Sequence, residues 1–267
     1  MRLIVLLTDW GTKSYYQGVV KGVIKKIAPE VEVVDLTHEV EPFNVREAMH
    51  VLFRAYRDFP EETIFCCVVD YGVGTERKAI ALETESGYFF VGPDNGLFTL
   101  VVEKEVVREV VELKNPGYFY KPIPSSSFHG RDIFAPVSAH IARGVSLREL
   151  GERVESLTSL PYERARKEGN LVLGEVAYFD RFGNIETNIP EIFLESLKLY
   201  NEVTIYIEEE EFRATCCRTY GDVPKGALLI HADSSGFLEI AVNQGNARER
   251  LSLQGGEKIC ISFGREL

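Results

Sequence analysis

The first seventy residues alternate between short apolar runs and segments of helical spacing, and that alternation leaves few folds open. RLIVLL (2–7) is a continuous apolar run closed by the polar turn TDWGTKS. Such a run reads as a strand buried on both faces. YYQGVVKGVIKKIAP (15–29) then repeats apolar residues at helical spacing until Pro29 ends it. VEVVDLTH (31–38) reads as a second strand and TIFCCVVD (63–70) as a third. Between them, 44–59 reads as a helix with Val45, Ala48, Met49, Leu52 and Phe53 on one side. Strand, helix, strand, helix, strand predicts a Rossmann-like α/β sheet with helices on both faces. KAIALET and GYFFVGPDNG (78–96) read as two further strands joined by a turn, and within 125–144 a polar loop runs into a helix.

Past about residue 155 the pattern changes. The charged stretch PYERARKEG (161–169) has no long apolar face and reads as a link. Beyond it, LVLGEVAYFD, EVTIYIEEEEFRA, GALLIHADSSGFLEIAVNQ and EKICISF are strands between short polar turns. They predict a small β-barrel or sandwich. The expected domains are 1–158 and 168–267. The EEEE run at 208–211 reads as a solvated turn or edge.

Composition removes whole classes of function. Of 267 residues 45% are hydrophobic, enough for a substantial core, and the net charge of −11 argues against a general grip on nucleic acid. The run of five apolar residues before Thr8 is too short for a signal peptide, and no run reaches the length of a membrane span. The expectation is a cytoplasmic protein with neither membrane nor nucleic acid as partner. Cys66, Cys67, Cys216, Cys217 and Cys260 lack metal-ligand spacing and read as buried free thiols.

In open α/β sheets ligands bind beyond the C-terminal ends of the strands. Asp9, Asp35 and Asp70 fall there. Each is either a turn or cap residue or an acceptor for a ribose diol. The GVG of 72–74 is not GxGxxG and leads into a strand, and no GxxxxGK[ST] occurs, so neither phosphate-loop fingerprint is present. GPDNG (92–96) reads as a tight hairpin connection. His129 lies in SSSFHGRD beside Arg131 and Asp132, which read as an ion pair fixing the loop to the helix. In YFDRFGNIETNI (178–189), Asp180 and Asn184 flank Phe182 and Gly183, as a purine cap or as a twisted turn. ADSSGFLEIAVNQGNA (232–247) carries the same two readings. The residues alone reach a two-domain protein with a polar cleft for a small molecule.

Seven segments taken together carry more: LLTDWGTKSYYQGVVKG, VVDLTHEVEPFNVREA, VVDYGVGTER, FVGPDNGLFT, FHGRDIFAPVSAHIA, YFDRFGNIETNI and AVNQGNA. In this order they resemble the S-adenosylmethionine hydroxide adenosyltransferase family, relatives of the fluorinase and chlorinase enzymes. The resemblance implies an N-terminal α/β domain, a C-terminal β-barrel and a homotrimer. Its active sites are expected between the N-terminal domain of one subunit and the C-terminal domain of the next. It implies hydrolysis of S-adenosylmethionine to adenosine and methionine, with no metal and no cofactor. Asp70, Arg77 and His129 take the hydrolytic positions and Asp9 the ribose position. Phe43 and Phe128 are expected beside the nucleoside. Asp180, Asn184, Ser234 and Ser235 fall where methionine or adenine is handled, and Phe182, Tyr220 and Asn243 line the pocket. The halogenase relatives lack the acidic–imidazole pairing and carry an extra loop in the first domain, which favours water over halide here. Two alternatives stand beside this reading: a halide-dependent 5′-halo-5′-deoxyadenosine synthase, and a nucleoside-binding module without turnover. The chain departs from the family spelling at Tyr71, where proline is common, and at Trp10, where phenylalanine is.

Overall fold

The computed structural model describes residues 2–194 and 201–263. The chain divides after Leu160 into two compact units. In the first, β1 (Leu3–Thr8), α1 (Tyr16–Ile27), β2 (Glu32–Thr37), α2 (Val45–Ala55) and β3 (Ile64–Val68) follow one another as their periodicities predict. Lys25 and Lys26 in the last turn of α1 suit the negative end of the helix dipole. Asn44 caps α2 by accepting from the Glu47 N–H at 3.0 Å. Then come β4 (Ala79–Thr84), β5 (Phe89–Pro93), α3 (Thr99–Lys104), β6 (Val107–Leu113), α4 (Ala135–Ala142), α5 (Leu147–Leu150) and β7 (Gly151–Arg153).

The sheet order is β2-β1-β3-β5-β4-β6-β7. It is parallel from β2 to β5 and antiparallel from β5 to β7. Successive strand side chains alternate between faces. Ile4, Leu6, Ile64 and Cys66 therefore pack with Val20 and Ile24 of α1 and Val137 and Ile141 of α4. Val5, Leu7, Phe65 and Cys67 pack with Val45, Ala48 and Leu52 of α2 and Val101 of α3. The adjacent cysteines thus face opposite layers as buried free thiols, and burial pushes the Cys66 thiol up to about 12. GPDNG is not a hairpin connection: it ends β5 and leads into α3, with Asn95 Nδ2 donating to the Val69 carbonyl at 2.8 Å.

The second unit holds β8 (Arg166–Glu168), β9 (Leu171–Phe179), β10 (Ile185–Pro190), β11 (Glu202–Ile207), β12 (Glu210–Cys216), β13 (Leu228–Ala232), β14 (Phe237–Val242), α6 (Ala247–Leu251) and β15 (Lys258–Phe263). The order β10-β14-β13-β12-β11-β15-β9 returns to β10 and closes a seven-stranded barrel around Val176, Ile205, Ile230, Ile240 and Ile261. β8 pairs onto β9, so part of the stretch read as a link is strand. Glu208 and Glu209 form the β11–β12 turn, where Glu208 takes a left-handed φ of 55°. Among the described residues no helix is long and apolar enough to cross a membrane.

Candidate active site

A cavity of about 520 Å³ opens in the first unit beyond the C-terminal ends of β1 and β3. Asp9, Trp10, Phe43, Asp70, Phe128 and His129 line it. The parallel half of the sheet places Asp9 and Asp70 there, because β1 and β3 lie side by side and end together.

Arg77 ties this wall together. Its Nε donates to both Asp70 oxygens at 3.0 Å, and its Nη2 donates to Asp70 Oδ2. The same Nη2 lies 3.0 Å from His129 Nδ1. A guanidinium can only donate, so Nδ1 accepts and the neutral ring carries its proton on Nε2. Burial and the adjacent Arg77 charge hold the His129 pKa below its ordinary 6.5, against the opposing pull of Asp70 and Asp132. Gly72 N–H closes the loop onto Asp70 Oδ1 at 3.1 Å. Gly74 has φ +77°, and a Cβ there would drive into the Ser126 carbonyl. Its job is to let the loop of residues 70–77 lie on residues 125–127. Tyr71 is 67% exposed and is not part of the cavity lining.

Asp9 accepts from the Phe43 N–H through Oδ2 at 2.9 Å, and burial raises its pKa above 3.8. Phe43 holds φ +68° and is 65% exposed. A non-glycine residue in that region is an energetic exception that clusters at functional sites. Trp10, Tyr16 and Phe128 form an edge-to-face group with centroids 5.0–6.2 Å apart. A Cβ on Gly130 would come 2.6 Å from the Trp10 ring. Gly130–Phe134 forms a π-helical turn ahead of α4, a widening that recurs at functional sites. Arg131 Nε donates to buried Asp132 at 2.6 Å, and Asp132 in turn accepts from Ser125 N–H at 2.8 Å, so the pair does fix the loop.

The second unit gathers the Asp180 group at one turn. Asp180 accepts from Phe182 N–H, Asn184 N–H and Asn184 Nδ2 at 2.8–2.9 Å. Asn184 Nδ2 also reaches the Tyr220 hydroxyl at 3.5 Å. Phe182 is exposed on the same turn. Ser234 and Ser235 lie in the β13–β14 turn, where Ser235 N–H donates to Asp233. Asn243 follows β14 and donates to the Val223 carbonyl at 2.7 Å. Carboxylate oxygens of Asp180, Glu186 and Glu239 come within 4.8 Å of one another. Asp180 Oδ2 accepts from Asn184 Nδ2 at 2.9 Å, and Glu239 Oε1 lies 3.0 Å from His231 Nε2.

Asp9, Phe43, Asp70, Phe128 and His129 are thus brought to one cavity, with Arg77 bridging its wall. Sequence reasoning passed over Tyr15, Tyr16, Val73 and Ser125, which also line it. The paired tyrosines directly after TDWGTKS were the available signal for two of them.

Residues 4–151 match the family described as SAM hydroxide adenosyltransferase N-terminal domain, and residues 174–260 match its C-terminal domain. The chain belongs to the SAM hydroxide adenosyltransferase family. The (R)-S-adenosyl-L-methionine hydrolase of Thermus thermophilus is 40% identical over 96% of this chain and 98% of its own. A crystal structure of an uncharacterized conserved protein from Thermotoga maritima is 50% identical, with a TM-score of 0.92 over 98% of this chain and 100% of that one. A fluorinase of Nocardia brasiliensis is more distant, 26% identical over 98% of this chain and 97% of its own. The two matched family segments fall one in each unit.

Proposed function

We propose that the chain hydrolyses S-adenosyl-L-methionine to adenosine and L-methionine. The observation that carries the reading is the Asp70–Arg77–His129 set in the wall of an aromatic cavity. It stands in a family chain with a full-length relative named a hydrolase of the R sulfonium epimer, and we extend that preference to this chain.

Displacement at ribose C5′ breaks the bond to sulfur, and the sulfonium leaves as neutral thioether without an acid. Water is the weak partner. It must be held in line with the C–S bond and must lose a proton. Asp70 supplies the anionic acceptor, fixed in place by Arg77. His129, its Nδ1 held by Arg77, offers Nε2–H and orients the water as a donor. The proton leaves through the carboxylate to solvent. Asp9 receives the ribose hydroxyls, and Phe43 and Phe128 flank the nucleoside. The sulfonium is a cation suited to an aromatic wall with two carboxylates. Asp180, Phe182, Asn184, Tyr220, Ser234, Ser235 and Asn243 are proposed to handle methionine and adenine. Every step uses this chain's own side chains, and S-adenosylmethionine is substrate rather than cofactor.

The same proposal includes a homotrimer, each N-terminal domain completed by the C-terminal domain of a neighbouring copy. It is supported by the division of the assigned residues between two units. A cytoplasmic setting belongs to it as well, since five free cysteines suit a reducing compartment.

The test is incubation of separated R and S epimers in oxygen-labelled water, with and without chloride or fluoride. Label in the adenosine 5′-hydroxyl, from the R epimer, is the expected result. A 5′-halo-nucleoside would move the assignment to halide transfer, and binding without product would reduce the chain to a binding module.

A further inference from the structure

The Asp9 loop is held from beneath by a buried residue that the hydrolytic scheme does not use. His38, only 3% exposed, touches the loop on three sides. Its Nδ1 lies 2.7 Å from Thr8 Oγ1, the residue before Asp9. Its ring stacks on Trp10, the residue after, with planes 11° apart and centroids at 6.4 Å. Its carbonyl accepts from Gly11 N–H at 2.7 Å. Behind it, Nε2 lies 3.1 Å from Asp35 Oδ1 in an oblique approach, and Lys21 Nζ donates to Asp35 Oδ2 at 2.5 Å. The Asp35 carboxylate beside Nε2 favours the tautomer with its proton on that nitrogen. Nδ1 is then the acceptor and the Thr8 hydroxyl the donor. The Thr8 oxygen in turn accepts from Trp10 N–H at 3.4 Å.

His38 thus contacts both residues that flank Asp9, Thr8 through a hydrogen bond and Trp10 through its ring, and Thr8 joins the two. We propose that His38 is a positioning residue: by fixing Thr8 and Trp10, it sets the angle at which the Asp9 carboxylate meets the ribose hydroxyls. The proposal rests on the reading of Asp9 as the ribose acceptor. A site built to hydrogen-bond a hydroxyl rejects the analogue that lacks it, because its own polar group is left unpaired. A carboxylate turned out of line loses that discrimination and keeps its hold on the base.

The measurement is the dissociation constant of adenosine against that of 2′,3′-dideoxyadenosine, by calorimetry. Wild type should prefer adenosine by about 10-fold or more. In H38A and T8V the preference should shrink to within about 3-fold, while dideoxyadenosine binds as in wild type. H38N, whose amide oxygen can stand where Nδ1 accepts, should restore most of the preference. T8V is near-isosteric and serves if H38A does not fold. A preference intact in wild type and unmoved in T8V and H38A overturns the role of His38 and leaves the Asp9 reading standing. A wild type, and a D9N variant, equally indifferent to the diol overturn both. A merely structural role would weaken both ligands alike.

Discussion

His129 shows how one contact fixes both protonation and stability. Burial and Arg77 lower its pKa below 6.5. As pH falls through 6.5, the unfolded chain takes up this proton before the folded chain does. The residue's contribution is therefore complete above pH 6.5 and is lost as pH falls toward the folded pKa. Urea unfolding of wild type and H129Q at several pH values should show a smaller acid loss in the variant. The proposed roles need His129 neutral and Asp9 ionised, and burial raises the Asp9 pKa above 3.8. The acid limb of kcat/KM should then lie above the ordinary carboxylate value of 3.8, and D9N should shift it. D70A and H129A should each lower kcat by about 100-fold or more, the usual scale for a positioned acid–base group, with KM changed far less. Steady-state kinetics would refute the assignment if either variant turned over like wild type.

The elements around the cavity keep their places through backbone features that side chains alone would not support. Gly74 is left-handed and packed on the Ser126 carbonyl. G74A should lose about 2–4 kcal/mol in urea unfolding, from conformational strain plus overpacking. Phe43 is the reverse case, a left-handed phenylalanine held by Asp9. F43G relieves a strain of about 1–2 kcal/mol and adds back roughly 0.5–1 kcal/mol of chain entropy. Its stability should stay within about 1 kcal/mol of wild type, while KM rises several-fold. A large fall in stability with KM unchanged would make Phe43 a packing residue.

Across the whole chain, what could be read in advance was what short-range physics writes down. The elements from β1 to β3 announce themselves because each carries its own period and stop signal. β6 does not: VREVVEL mixes charges with apolar residues, and its register comes from pairing with β4. Nor can a local pattern say that the sheet turns antiparallel beyond β5, or that β9 returns to β10. The site divides the same way. Asp9 and Asp70 are legible as strand-end residues, whereas Arg77 meets His129 across 52 positions with no local rule joining them. Family resemblance supplied that pair. If each site of the proposed trimer is shared between two copies, specific activity should fall on dilution in step with loss of the trimer by sedimentation. Constant specific activity from a dilute monomer would refute the shared site.

The grip of Arg77 on Asp70 and His129 also has a meaning as a filter for what attacks. It leaves the cavity wall with two unlike ends, a lone-pair end at Asp70 and an N–H end at His129. A visiting molecule satisfies both only if it has a hydrogen to give and a lone pair to offer. Water has both. A bare halide has no hydrogen to give, and so leaves the Asp70 lone pairs unanswered. Under the proposed roles, the selection of nucleophile rests on a proton count, before size or affinity enters.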